Sequence, residues 1–204
     1  MTKKTVLNLG CGNTRIPGTV GVDREKGEAV DLVCDLNTVP YPFSGNYADE
    51  IHMYHILEHL DNPVEKLEEA HRILKNGGLL YLRVPHFSSV YAWGDITHKR
   101  SFSLQAFDCF DKKRAFKGIR CTKVNFDITT RKIRYFYTWP NEAWYMKHVV
   151  KPIWPKYSSL ILKPFILLVN FLISLSPFIF ERFWCYWVGG AAEIYLIMKA
   201  VKDE

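Results

Sequence analysis

The run Val6-Leu7-Asn8-Leu9-Gly10-Cys11-Gly12 ends a short aliphatic stretch in small residues, and an acid, Asp23, follows eleven residues after Gly12. A strand that runs into glycine lets backbone come close to a ligand, and an acid after the next strand can accept two hydrogen bonds from a ribose. The pair points to a nucleoside cofactor. Further along, His86-Phe87-Ser88-Ser89 follows a candidate strand, and Gly94-Asp95-Ile96-Thr97-His98-Lys99-Arg100 lies in the next loop. The neutral imidazole of His98 can take a proton from a hydroxyl, with Asp95 orienting the ring and His86 as the alternate base. His86, Phe87, Tyr91 and Arg100 are substrate-side candidates, Arg100 because a guanidinium can hold a carboxylate or phosphate. The plainer alternative is that these histidines fold the loop and Arg100 is solvated.

His55 and His59 stand four residues apart with Glu58 between them. That is the spacing of one helix face, yet the order is not His-Glu-x-x-His and the segment directly follows a strand, so a lining or structural role is expected and no metal.

These residues need elements to position them. Strands are predicted over 5–9, 19–22, 30–33, 48–54 and 79–84, and a helix over 63–74 with Asn62 as N-cap, Pro63 at its first position and Asn76-Gly77-Gly78 as its stop. Alternating strand and helix argues for an open parallel sheet, whose ligands sit outside the carboxyl ends of the strands. A second short helix is expected over 103–110, strands over 119–128 and 131–137, and a final strand over 192–201. A chain of 204 residues is enough for one domain, 1–204, with a sizeable core.

The five cysteines, Cys11, Cys34, Cys109, Cys121 and Cys185, show no CxxC pairing and no secretion signal accompanies them, so reduced thiols and a cytoplasmic setting are expected. The net charge of +6 is less informative than its placement. Lys117, Arg120, Lys123, Arg131, Lys132, Arg134, Lys147, Lys151, Lys156 and Lys163 make the later part basic, which suits an anionic partner surface, membrane or nucleic acid.

At the level of motifs the chain resembles the class I S-adenosylmethionine-dependent methyltransferases, close to the small type 11 group. The resemblance rests on Gly10–Gly12, on Asp23, on Asp35-Leu36, on His55-Ile56-Leu57-Glu58-His59, and on Arg72-Ile73-Leu74-Lys75-Asn76-Gly77-Gly78, where the family usually has Pro in place of Asn76. It implies an α/β, Rossmann-like sheet, mostly parallel with an antiparallel last strand, and S-adenosylmethionine as cofactor. It implies cofactor contacts at Asn8, Gly10, Cys11, Gly12, Asp23, Arg24, Asp35, Leu36, Tyr54, His55 and His59. One departure stands out: family members commonly have a full helix after the glycine loop, whereas only 13–19 is available here, with Pro17 and Gly18 inside it. A trimmed first helix, replaced by a compact loop, is expected.

Between the last two predicted strands lies an insert, 139–191, with a long apolar run from Leu160 to Phe180. The run is long enough to cross a hydrocarbon core of ~30 Å. The final strand must return to the same sheet, so a single crossing is excluded, and Pro177 leaves pieces too short for two. A helix or broken hairpin in one leaflet fits, with Trp139, Trp144, Trp154, Trp184, Tyr186 and Trp187 as interfacial aromatics and Lys147, Lys151, Lys156, Lys163 and Arg182 near head groups. A lid or a homodimer interface through 139–191 is the alternative. The expected function is methyl transfer to oxygen of an amphiphilic or lipid-linked acceptor, such as a glycan or quinone-like compound, by a peripheral or monotopic enzyme on the cytoplasmic, inner-leaflet surface. A non-catalytic cofactor-binding scaffold recruiting a membrane partner competes with it. An RNA methyltransferase is a poorer fit, because an apolar run does not suit a wet, charged interface and nucleic acid is not the expected partner.

Overall fold

Among the described residues seven strands pair in one sheet, in the order Leu32–Val33, Val20–Asp23, Val6–Leu9, Ala48–Tyr54, Leu74–Pro85, Glu193–Val201 and Asn125–Arg134. The computed structural model describes residues 4–116, 120–134, 158–187 and 190–202. β1 (Val6–Leu9), β2 (Val20–Asp23), β3 (Leu32–Val33), β4 (Ala48–Tyr54) and β5 (Leu74–Pro85) run parallel, and β7 (Glu193–Val201) is antiparallel to both β5 and β6 (Asn125–Arg134). The expected Rossmann-like sheet with an antiparallel last strand is therefore present. Its centre is apolar because its strands are covered: Leu7, Leu9, Ile51, Met53, Leu80, Val84, Leu196 and Met198 are all fully buried.

The register of β7 decides where the rest of the chain emerges. Glu193 pairs with Pro85, the last residue of β5, on one side and with Arg134, the last residue of β6, on the other. The insert therefore leaves and re-enters the sheet at the carboxyl end of β5. A single membrane crossing is incompatible with that register.

No helix joins β1 to β2, as the short Pro- and Gly-containing segment predicts. Two turns take its place, closed by Thr14 N donating to Cys11 O and Thr19 N donating to Ile16 O. The following loop lies so close to β2 that a Cβ on Gly21 would fall 2.0 Å from the Ala29 carbonyl oxygen, so only glycine fits there. Arg15 bridges the two loops, pairing with Asp31 at 3.0 Å and donating to Glu28 O.

Helix α1 (Pro63–Ile73) begins as predicted, with Asn62 Oδ1 accepting from Glu65 N and Pro63 in the first turn. It buries Leu67, Ala70 and Ile73. Its end differs from the expected stop at Asn76-Gly77-Gly78: Leu74 is already extended and pairs with Ala48, while Tyr47 N donates to Ile73 O. Sheet pairing captures the chain before the glycines can end the helix. The 103–110 segment forms a 3-10 helix, Leu104–Phe110, instead of an α-helix, and a short helix α2 (Val90–Gly94), capped by Ser89, was not anticipated. The described parts of the two strands expected over 119–128 and 131–137 belong to one strand, β6, and residues 119 and 135–137 lie outside the described residues. A register shift between Ile128 and Thr130 absorbs the irregularity without ending the ladder. The expectation of five reduced cysteines is overturned for two of them: Cys109 and Cys121 form a disulfide with Cα atoms 5.5 Å apart, whereas Cys11, Cys34 and Cys185 are free thiols.

Within the apolar insert, α3 (Ser158–Leu175) contains Pro164, and the chain then breaks at Ser176, whose side chain caps the next turn by accepting from Ile179 N. The segment 177–187 continues through a π-helical turn, Phe180–Trp184, and a last helical turn. The apolar pieces on either side of the break are bent by 98°, and no single helix among the described residues is long and apolar enough to cross a membrane. The break expected at Pro177 is present, as a bend of about a right angle. Trp139, Trp144, Trp154, Lys147, Lys151 and Lys156 lie outside the described residues.

His52 gives the sheet a titratable weak point. It is largely buried on β4, stacked on Tyr81 with ring centroids 4.8 Å apart, and its Nδ1 lies 2.8 Å from the Tyr54 hydroxyl. Burial pulls its pKa down from 6.5 to about 4. A depressed histidine pKa means that the stability it helps secure is full above about 6.5 and is lost progressively as pH falls toward 4, because the unfolded chain takes the proton first. Urea unfolding from pH 7 to pH 4.5 should lose roughly 2–3 kcal/mol more in the wild type than in His52→Phe. A midpoint difference independent of pH would contradict this assignment.

Candidate functional site

The carboxyl ends of β1, β2, β4 and β5 converge on two groups of side chains, one formed around the glycine loop and one around the segment after β4. At the first, Gly10 takes φ +74°, and a Cβ there would meet the Ile56 side chain at 2.4 Å. Gly12 takes φ +51° with nothing within 4 Å of its Cβ position, so this side of the loop is open. Asp23 closes the group: Oδ2 accepts from Gly12 N at 2.7 Å and Oδ1 from Arg24 N at 2.8 Å. The loop and the acid are thus locked together before any ligand arrives. An open glycine face beside a carboxylate at the next strand end fits a nucleoside with a ribose diol.

The other expected cofactor residues divide into those near this opening and those turned inward. Asn8 is buried, with Nδ2 3.4 Å from Thr14 O, and supports the loop. Cys11 points its sulfur at Ala29 O, 3.5 Å away, and burial pushes its thiol up to about 11. Its side chain therefore packs under the loop, and only its backbone can face a ligand. Arg24 is exposed and pairs with Glu25. Asp35 is exposed, with Oδ1 accepting from Asn37 N, while Leu36 sits in the core and its carbonyl accepts from the Tyr41 hydroxyl. Tyr54 carries the Arg83 guanidinium 4.8 Å from its ring centroid.

His55 turns the chain after β4 with φ +54°. Its Nε2 lies 3.3 Å from Glu193 Oε2 and its Nδ1 lies 3.5 Å from Glu58 Oε1. Burial pulls its pKa down, but hydrogen bonding and charge from Glu193 and Glu58 outweigh burial and raise it to about 9. Glu193, fully buried, is also held by Arg134 at 2.9 Å. His55 thus acts as the positive centre of a buried network that ties β4 to β7.

The second group holds Asp95 and His98, which the sequence paired, together with His59, which it placed at the cofactor. Thr97 Oγ1 donates to Asp95 Oδ1 at 2.7 Å and faces His59 Nδ1 at 3.0 Å. His98 Nδ1 lies 3.2 Å from the Ala92 carbonyl, and its Nε2 lies 3.9 Å from Asp95 Oδ2 and 4.0 Å from Glu58 Oε1. The Thr97 bonds hold the Asp95 carboxyl below the usual range. An open depression lined by Val90, Tyr91, Gly94, Asp95 and Ile96 adjoins this group.

His86 belongs elsewhere. It is fully buried, with Nδ1 2.7 Å from Ser88 Oγ and Nε2 3.0 Å from Glu181 Oε1, so both ring nitrogens are engaged and neither is open to an acceptor. The expectation that it is an alternate base is therefore corrected to an anchoring role. Arg100 donates to the Asp61 carbonyl, which draws the guanidinium toward the chain after β4. Phe87 hydrogen-bonds through its backbone to Phe102, and its ring centroid lies 6.5 Å from that of Tyr186 in the insert. Tyr91 is exposed on α2. Glu58, Thr97, Glu181 and Glu193 are the residues missed as site members, and only Glu58, placed between two histidines, carried a signal in the sequence.

Comparison with known proteins agrees with this geometry. Residues 16–82 match the family model described as a methyltransferase domain. A SAM-dependent methyltransferase from Archaeoglobus fulgidus superposes with a TM-score of 0.53 at 17% identity, covering 97% of this chain and 86% of that one. The YcgJ protein of Bacillus subtilis superposes with a TM-score of 0.51 at 14% identity, covering 99% and 93%. No curated protein matches by sequence. The sheet has the Rossmann-like fold of these proteins. The family match over residues 16–82 and the shared fold are what this chain has in common with S-adenosylmethionine-dependent methyltransferases.

Asp23→Asn leaves the Gly12 contact an acceptor but removes the charge. Calorimetric titration with S-adenosylmethionine should show affinity reduced about 10- to 100-fold, the worth of charged hydrogen bonds to a diol, with little change in Tm. Unchanged affinity would place the ribose elsewhere.

Proposed function

We propose that this chain transfers a methyl group from S-adenosylmethionine to a hydroxyl oxygen of an amphiphilic or lipid-linked acceptor, of glycan or quinone-like chemistry, at a membrane surface. The observation that carries this reading is the docking of the bent apolar arm onto the acceptor end of the sheet. Glu181, on the arm, accepts from the backbone N–H of Leu104 and pairs with His86, the residue immediately after β5. Phe180 packs against the same imidazole, and Gly190 passes so close to Ser88 that a Cβ would fall 1.6 Å from its carbonyl oxygen.

Beyond those anchors the arm is open. Leu168, Phe171, Leu172, Leu175, Phe183 and Trp184 are each more than half exposed. Val90, Trp93 and Ile96, around the acceptor depression, are more exposed still. So large a concentration of bare apolar side chains next to a site suits insertion into the acyl boundary, and Arg182, stacked on Phe178 at 4.6 Å, can remain at head-group level. The basic excess of the chain favours an anionic leaflet on the face where the cofactor is supplied.

Bound S-adenosylmethionine supplies an electrophilic methyl group on a sulfonium. The acceptor oxygen forms the new O–C bond as the S–C bond breaks, the electron pair stays on sulfur, and the hydroxyl proton leaves. The chain holds the acceptor against the depression beside α2 and receives that proton at the cluster around His98 and Asp95.

A Leu168→Asp, Phe171→Asp variant should lose most of its flotation with anionic liposomes, while its affinity for S-adenosylmethionine is unchanged. Equal flotation of the two proteins, or conversion of a wild-type dimer to monomer by the substitutions, would assign the apolar face to something other than membrane.

A further inference from the structure

We infer that Glu58, His59 and His98 form a binding site for one divalent first-row transition-metal ion, with Asp95 beside it. One ligand-capable atom from each of the three lies within 4.8 Å of the others. Three features make this more than proximity.

The first is a buried carboxylate short of hydrogen bonds. The Glu58 side chain is fully buried, and neither carboxylate oxygen accepts a hydrogen bond. His55, 3.5 Å from Oε1, offsets part of its charge, and His98 stands 4.0 Å away. A buried carboxylate short of hydrogen bonds is costly, and a second cation among its neighbours lowers that cost.

The second is the direction of the imidazoles. His98 donates through Nδ1 to the Ala92 carbonyl, which leaves Nε2 as a lone pair facing Glu58 and Asp95. His59 is fixed by a longer chain. The single proton of the Thr97 hydroxyl goes to Asp95 Oδ1, so toward His59 that oxygen can only accept, and His59 Nδ1 carries the hydrogen. Its Nε2 is then the free lone pair. Both histidines are held in the tautomer that a metal requires, by a carbonyl and a carboxylate-linked hydroxyl of the kind that orients metal-bound imidazoles.

The third is the donor set. Two imidazoles and one carboxylate favour Zn2+, Mn2+ or Fe2+ over Mg2+ and Ca2+, which take oxygen. Asp95 Oδ2, 3.9 Å from His98 Nε2, supplies a fourth donor within a small side-chain rotation. The expectation of no metal came from the local order His55-Ile56-Leu57-Glu58-His59, but the third ligand arrives from the loop after α2. In the loaded protein His98 is a ligand and not the base, and positions left open on the ion would take acceptor oxygens and ease loss of the hydroxyl proton. That catalytic use rests on the acceptor reading above. The binding site itself does not.

The test is titration of chelator-stripped protein with Co2+, followed by its visible absorption and by calorimetry, with S-adenosylmethionine affinity measured on the same samples. One equivalent should bind with absorption characteristic of nitrogen ligation. His59→Ala and His98→Ala should each weaken binding at least tenfold, and Thr97→Val, an exposed change that spares the fold, about tenfold. His52→Phe should leave it unchanged. Absence of a stoichiometric Co2+ complex at millimolar ion, or a titration unaltered in the His59→Ala, His98→Ala double variant, would overturn the site. Metal binding without methyl transfer to any membrane acceptor would instead overturn the functional reading and leave the site intact.

Discussion

The position of β7 governs this molecule. It is wedged between β5 and β6 and antiparallel to both, and its first residue, Glu193, is buried where both neighbours end. Its carboxylate is therefore forced to find partners inside the sheet, and it takes Arg134 from β6 and His55 from the end of β4. Removing one partner would leave an uncompensated buried charge, which costs several times what a surface pair contributes. Burial on its own would raise the Glu193 carboxyl, yet the neighbouring His55 and the two arginines hold it below the usual range.

From that constraint the functional layout follows. Because β6 ends and β7 begins at the carboxyl edge of β5, the apolar insert must emerge beside the site that the parallel strands create. The arm is then held there by Glu181 on His86 and Leu104, which explains why a histidine immediately after β5 is buried and engaged instead of catalytic. The same edge carries the Glu58, His59 and His98 group, oriented through α2 and its following loop. Glycine loop, histidine cluster and apolar arm are thus consequences of one sheet edge.

Much of this was legible in the sequence. The Val6–Leu9 run into Gly10 and Gly12, the acid at Asp23, and the Asn62-Pro63 start of α1 each reflect local chemistry that the chain cannot easily express otherwise, and each stands at the strand or helix end expected of it. The trimmed connection after β1 was legible for the same reason, since Pro17 and Gly18 forbid a helix. What was not legible depended on partners distant in the chain. Whether His86 is a base or an anchor turns on Glu181, the burial of Glu58 turns on packing, and Cys109 meets Cys121 only because β6 returns alongside the 3-10 helix. The end of α1 was misjudged because pairing of Leu74 with Ala48 overrides the glycine signal that follows it.

The most direct measurement is to supply the purified chain with methyl-labelled S-adenosylmethionine and a total membrane extract from its native source, and to follow where the label partitions. A membrane-surface methyltransferase with its acceptor presented by the apolar arm should place label in an organic-extractable or lipid-linked product, sensitive to the acidic substitutions on the arm. Label appearing only in RNA or in fully water-soluble compounds, at the same rate with and without those substitutions, would contradict it.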